Sequence, residues 1–233
     1  MNYDRRITIS VGNSRKSLQW MPTSLSVSEF YDRLKTPVRS SETLAEYLKM
    51  PKAQQDALKD CSGGFVGGTL KGNRRKANCV TGRELITLDF DNVPGWGTDN
   101  IIKKLDELGC SYCVYSTRKH APNKPRLRVL VPTDRVMTPD EYEPCARRMA
   151  AHIGINMADP TTFDCSRLFY YPSCCVDSEY VYRVKDAPLI SADFLLGTYT
   201  DWHDINSWPQ VPGTQGTYQK LALRQGDPEA KTG

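Results

Sequence analysis

The sequence predicts an α+β fold, a sheet in the split order β-α-β-β-α-β with its helices on one face, preceded by a mixed helical and β lead-in. Three observations carry this. Residues 85–91 alternate, with Ile86, Leu88 and Phe90 on one face and Leu85, Thr87, Asp89 and Asp91 on the other, which is the period of a strand. Two stretches at helical spacing, Ile101-Ile102-Leu105-Leu108 and Tyr142-Cys145-Met149-Ile153, separate strand-like runs. The punctuation agrees: Thr138-Pro139-Asp140-Glu141 is a capping box with proline at the first helical position, and Gly109 stands where the first helix would close.

In chain order, residues 1–83 form the lead-in. Ser26 and Glu29 have capping-box spacing ahead of Phe30, Tyr31 and Leu34, and Pro37 ends that helix. A second helix starts near Ser41-Glu42, and Pro51 opens a third that closes near Asp60. The glycine-punctuated stretch from Ser62 and the Arg74-Arg75-Lys76 triplet read as short strands around a basic turn. Residues 84–190 form the core, with strands over Leu85–Asp91, Cys110–Ser116, Arg126–Val131, Leu168–Tyr171 and Tyr180–Val184. Their order is that of ferredoxin-like and RRM-like sheets, whose second face stays open for a site. Residues 191–233 show little periodicity and read as a linker or the truncated start of a following region.

At 233 residues, 39% hydrophobic and 25% charged, the chain has the composition of a globular protein with a real core. It contains no run of eighteen apolar residues and no apolar leader, so the expectation is a cytoplasmic protein with no membrane partner. Residues 1–80 carry 14 Lys+Arg against 7 Asp+Glu within a net charge of +4, which suits a polyanion partner or a solvated basic surface. Cys110 and Cys113 form one CxxC, without a second pair at zinc spacing, so no structural zinc is expected and the thiols read as reduced.

Asp89 and Asp91 are the centre of the chemistry. Their i, i+2 spacing puts both carboxylates on one strand face, about 6.6 to 7 Å apart along the chain. Two acids there repel unless a cation joins them, and hard oxygen ligands favour Mg²⁺ or Mn²⁺. The competing reading is a polar strand end before Val-Pro-Gly. Downstream, Ser116-Thr-Arg118-Lys119-His120 ends one strand, and Arg126 and Arg128 alternate with Leu127 and Val129 on the next. Cations beside a carboxylate-held metal are what a nucleoside triphosphate needs, while the same string also suits a solvated basic loop.

Thr87-Leu-Asp89-Phe-Asp91, Ser116-Thr-Arg-Lys-His120 and Asp159-Pro-Thr-Thr-Phe-Asp164-Cys-Ser-Arg167 resemble, in this order, the three motifs of the archaeo-eukaryotic primase superfamily, nearest its phage and mobile-element primase-polymerases. The resemblance covers most of residues 60–185. It implies template-directed nucleotidyl transfer from NTP or dNTP to a 3′-hydroxyl on single-stranded DNA, in replication of a phage or mobile element. It implies a two-metal site of Mg²⁺ or Mn²⁺ on Asp89, Asp91 and a third acid, Asp159 or alternatively Asp164. It assigns catalytic or triphosphate contacts to His120 and Ser116, although three residues separate them here against the family's single one. Arg118, Lys119, Arg126, Arg128 and Arg167 would balance phosphate charge. Arg74, Arg75 and Lys76 are candidates for the DNA backbone, and Tyr170 or Trp202 for base stacking. A fused or associated helicase is implied, and the chain itself has no GxxxxGK[ST]. Its last residues read as the end of an excised N-terminal module. The alternatives are a metal-dependent nuclease and a non-catalytic RRM-like single-strand binder.

Overall fold

The alternation around Asp89 is realised in the longest strand of a five-stranded sheet. A computed structural model describes residues 1–214. In chain order the elements are β1 (Arg6–Gly12), β2 (Met21–Ser26), α1 (Val27–Lys35), β3 (Val38–Arg39), α2 (Leu44–Lys49), α3 (Lys52–Asp60), β4 (Gly64–Val66), β5 (Gly68–Leu70), β6 (Val80–Phe90), α4 (Thr98–Glu107), β7 (Tyr112–Ser116), β8 (Leu127–Met137), α5 (Pro139–Ile153), β9 (Phe169–Tyr170), β10 (Ser173–Cys174), β11 (Tyr182–Lys185) and α6 (Ala192–Gly197). The main sheet runs β11-β7-β8-β6-β5, a second runs β2-β1-β4-β9, and β10 pairs with β3 alone.

Local signals account for the helices. Ser26 and Thr138 cap α1 and α5 in boxes with Glu29 and Glu141, and Pro139 opens α5. A third box, Thr43 with Glu46, starts α2 two residues later than expected. Ile86, Leu88 and Phe90 pack with Ile101, Leu105, Tyr142 and Met149 in one core, so α4 and α5 cover the predicted face.

The chain departs from expectation in three places. The β6-α4-β7-β8 unit keeps the split order, with β8 between its partners, but β11 joins β7 instead of β6. The edge beside β6 is taken by β5, where a Cβ on Gly68 would stand 2.0 Å from the Gly82 carbonyl oxygen, so only glycine allows the approach. Secondly, the other sheet face is largely covered. Leu85, Cys113, Tyr115 and Leu130 are apolar and need a lid, which Ile7, Ile9, Phe30, Phe65 and Phe169 supply. The predicted 168–171 strand accordingly forms over Phe169–Tyr170 and belongs to the second sheet, on β4.

Thirdly, residues 191–214 are part of the body and not a linker. Ala192, Leu195, Leu196 and Val211 join the α4–α5 core, Tyr199 Oη donates to the Pro144 carbonyl (2.8 Å), and Arg147 donates to the Pro209 carbonyl (2.9 Å). The remainder of the expected linker, 215–233, lies outside the described residues. Among the described residues no helix is long and apolar enough to cross a membrane.

Candidate functional site

The register of β6 against β8 builds the site. It sets Asp89 opposite Arg128, and Arg126 lies just before β8 where Asp91 lies just after β6. Two cross-strand ion pairs result: Asp91 Oδ2 to Arg126 Nη1 at 2.7 Å, and Asp89 Oδ2 to Arg128 Nε at 3.5 Å. Asp89 is 7% exposed and Arg128 4%. Arg128 is fixed by donating to the Tyr170 carbonyl (2.9 Å), with the Phe169 ring 5.3 Å away. Asp89 Oδ1 is buried without a hydrogen-bond partner among the described residues. Burial raises the Asp89 pKa above the usual carboxylate value; Arg128 and Lys59 oppose the rise, and Asp91 and Asp159 add to it.

Residues of α2 and α3 close the cleft from the other side. Tyr47, Lys52, Asp56 and Lys59 face Asp89, Asp91, Thr117, Arg118, Lys119, Arg126 and Arg128 around a cavity of about 50 Å³. Arg118 is held by Glu42 and Ser40, and Lys52 by Asp56 at 2.9 Å. Lys59 and Lys119 have no ion-pair partner within 4 Å among the described residues. Their ammonium groups lie over the Tyr170 and Tyr47 rings at 4.8 and 5.9 Å. Burial and the neighbouring Arg128 charge lower the Lys59 pKa to about 8, against the pull of Asp89 and Asp91. Burial likewise lowers that of Lys119, with Lys52 and Arg126 adding to the effect.

The residues of the third motif stand apart. Asp159 is tied to Asp89 through the backbone, its N–H donating to the Asp89 carbonyl (2.8 Å). Its carboxylate, however, is engaged: Oδ1 accepts from Thr161 N–H and Oγ1, and Oδ2 pairs with Arg167 at 3.1 Å. Asp164 accepts from Ser166 N–H and Oγ (2.8 and 2.9 Å). Neither completes a three-acid cluster with Asp89 and Asp91, and among the described residues no group of three His, Cys, Asp or Glu side chains is arranged to hold a metal. The donor set fits a magnesium-class cation that fills its shell with water and phosphate oxygens: two hard carboxylates, one with an orphaned buried oxygen.

His120 does not line this cleft. It is 2% exposed, and its Nδ1 accepts the Arg126 backbone N–H at 3.2 Å. Burial holds its pKa below the usual imidazole value, and the Glu179 charge partly offsets this. Ser116 Oγ accepts from Val181 N–H (3.0 Å) and borders a smaller neighbouring cavity with Lys59 and Arg128. Of the basic triplet, Arg75 lies over the Trp20 ring at 5.1 Å, while Arg74 and Lys76 are exposed, and none borders the cleft. Trp202 stacks on His203 at 3.6 Å, beside α5.

Sequence reasoning missed the α3 residues. Lys52, Asp56 and Lys59 do form an i, i+4, i+7 stripe, but such a stripe ordinarily marks a solvated helix face.

No curated protein sequence matches the chain. Among solved structures, the AEP domain of the cyanophage S-2L primase-polymerase is similar to it over 84% of this chain and 88% of that one, at 14% identity and a TM-score of 0.43. Residues 1–211 match the family model of the VapE N-terminal domain. The chain therefore belongs to the VapE N-terminal domain family.

Proposed function

We propose that this chain is the nucleotidyl-transfer module of a primase-polymerase, joining NTP or dNTP to a 3′-hydroxyl on a single-stranded DNA template. The observation that carries the reading is the Asp89–Asp91 pair, matched by Arg128 and Arg126, in a cleft where Lys59 and Lys119 have no ion-pair partner within 4 Å among the described residues. Asp89 and Asp91 would hold the divalent cation, Mg²⁺ or Mn²⁺. When bound, such a cation lowers the pKa of the attacking hydroxyl and neutralises the departing pyrophosphate.

The chain's own residues do the rest. Without metal, Arg126 and Arg128 neutralise the two acids and keep their repulsion from opening the sheet end. Arg126 is the more exposed, its side chain at 24%, so it can leave Asp91 for a phosphate. Arg128 stays, anchored on the Tyr170 carbonyl. Lys59 and Lys119 take up triphosphate charge from opposite walls. His120 acts as a positioning residue, its neutral ring holding the Arg126 backbone. A fused or associated helicase would open the duplex that this module copies.

The test is incorporation of labelled nucleotides on single-stranded DNA, with and without primer, in Mg²⁺ and Mn²⁺, beside the Asp89→Ala/Asp91→Ala double variant. The expected outcome is product that the double variant loses. Degradation of DNA without added nucleotides would instead indicate a nuclease, and a gel shift without product a binding module. Product at wild-type level in the double variant would overturn the assignment.

A further inference from the structure

Trp96 is 76% exposed, and its backbone sits at φ 63°, a left-handed conformation that a bulky residue rarely adopts. Both features work against folding, yet the loop is held firmly. Trp96 N–H donates to the Pro122 carbonyl at 2.8 Å, and a Cβ on Gly95 would stand 2.9 Å from the Asn123 carbonyl oxygen. The loop after β6 is therefore fastened to the tight Ala121–Lys124 turn, closed by backbone hydrogen bonds in both directions. The indole is presented on a rigid mount.

The same turn forms one wall of a groove of about 580 Å³ whose other wall is α2. Its apolar surface comes from Leu44, Leu48 and Ala121, and Leu48 is 52% exposed. Its charge comes from Lys119, Lys124 and Arg126 against Asp177. Lys119 and Arg126 also border the Asp89–Asp91 cleft, so groove and cleft share a wall. Trp96 follows Asp91 by five residues, a reach of at most about 17 Å. An exposed aromatic beside a cationic, partly apolar groove is the arrangement that binds single strands: bases stack on the ring and phosphates follow the cations.

We propose that Trp96 and this groove form the track for the single-stranded template, with an unpaired base stacked on the Trp96 ring and phosphates along Lys124. The proposal rests on the reading of the Asp89–Asp91 cleft as the polymerising centre and adds where the template lies. The Arg74–Lys76 triplet is then not needed for the template.

The test uses the full chain and two ligands, a fluorescein-labelled oligothymidylate read by anisotropy and dTTP with Mn²⁺ read by calorimetry. Trp96→Ala should weaken the oligonucleotide about tenfold and leave dTTP unchanged, and Trp96→Phe should recover most of the loss. Lys124→Ala should reduce the slope of log affinity against log salt by about 0.7. Oligonucleotide binding at wild-type strength in Trp96→Ala overturns the proposal. So does an equal loss of dTTP, which would make the ring a platform for the nucleotide, or a wild-type chain that binds no oligonucleotide. Failure of the polymerase reading looks different: strand binding would depend on Trp96 while no condition gave nucleotide incorporation.

Discussion

Cation binding here should be weak alone and strong with nucleotide, and thermal melting can read the difference. The structure offers two carboxylates, each already paired to an arginine at 2.7 and 3.5 Å, while the Asp159 carboxylate is committed to Thr161 and Arg167. A cation must displace those pairs and still lacks protein ligands, so Mg²⁺ or Mn²⁺ alone should work near its own Kd. That adds about 0.4 kcal/mol to stability, and nucleotide plus metal at a hundredfold excess over Kd adds about 2.7 kcal/mol. For a domain of this size each kcal/mol moves Tm by about 2–4 °C. The expected shifts are thus about 1–2 °C for the cation and about 5–11 °C for cation with triphosphate. Asp91→Asn should abolish the larger shift. Differential scanning fluorimetry of both proteins, with metal, triphosphate and the pair, supplies the measurement. An equal shift with metal alone would mean a complete protein-built site and refute the reasoning, as would a full ternary shift in Asp91→Asn.

Three further outcomes follow from the same geometry. Lys59→Met should lower affinity for metal-bound triphosphate about 10- to 100-fold by removing one charge-assisted contact, while raising the metal-free Tm because a half-buried ammonium near the Arg128 charge disappears; titration calorimetry with unchanged affinity would discount Lys59. His120 has a folded pKa below the unfolded value of about 6.5, so the unfolded chain takes up the proton first and stability is lost as pH falls through that value toward the folded pKa. His120→Asn, whose amide oxygen can accept the Arg126 N–H, should flatten the Tm-against-pH slope below neutrality, and an unaltered slope would place its origin elsewhere. Thr138→Ala removes the α5 cap and should cost about 1 kcal/mol, a Tm drop of about 2–4 °C by calorimetry; no change would mean that tertiary packing alone fixes that helix start.

What could be read from the residues, and what could not, divides by the range of the interactions. Asp89 and Asp91 were legible because one strand's period-2 alternation places both acids on the face away from Ile86, Leu88 and Phe90, and that needs no partner to specify it. The caps at Ser26 and Thr138 are equally local. The β1–β2 hairpin was overlooked although Arg6–Gly12 alternates, since its short polar partner Met21–Ser26 carries little signal. The edge position of β11, the cover over Leu85 and Tyr115, and the docking of α6 are set by which apolar faces meet across long chain separations. Lys59 belongs to this second kind: on α3 it is one polar residue in a stripe, and it acquires a lowered pKa only because the packed cleft desolvates it and brings the Arg128 charge beside it. His120 shows the reverse case, a motif residue whose type suggested substrate contact but whose burial turns it toward the Arg126 backbone. On the proposed function, the acids define where chemistry would occur, and the elements packed around them decide which cations would meet the phosphates. That is why a variant at Lys59, which the motifs do not mark, tests the assignment of this cleft more sharply than a second substitution at the acids.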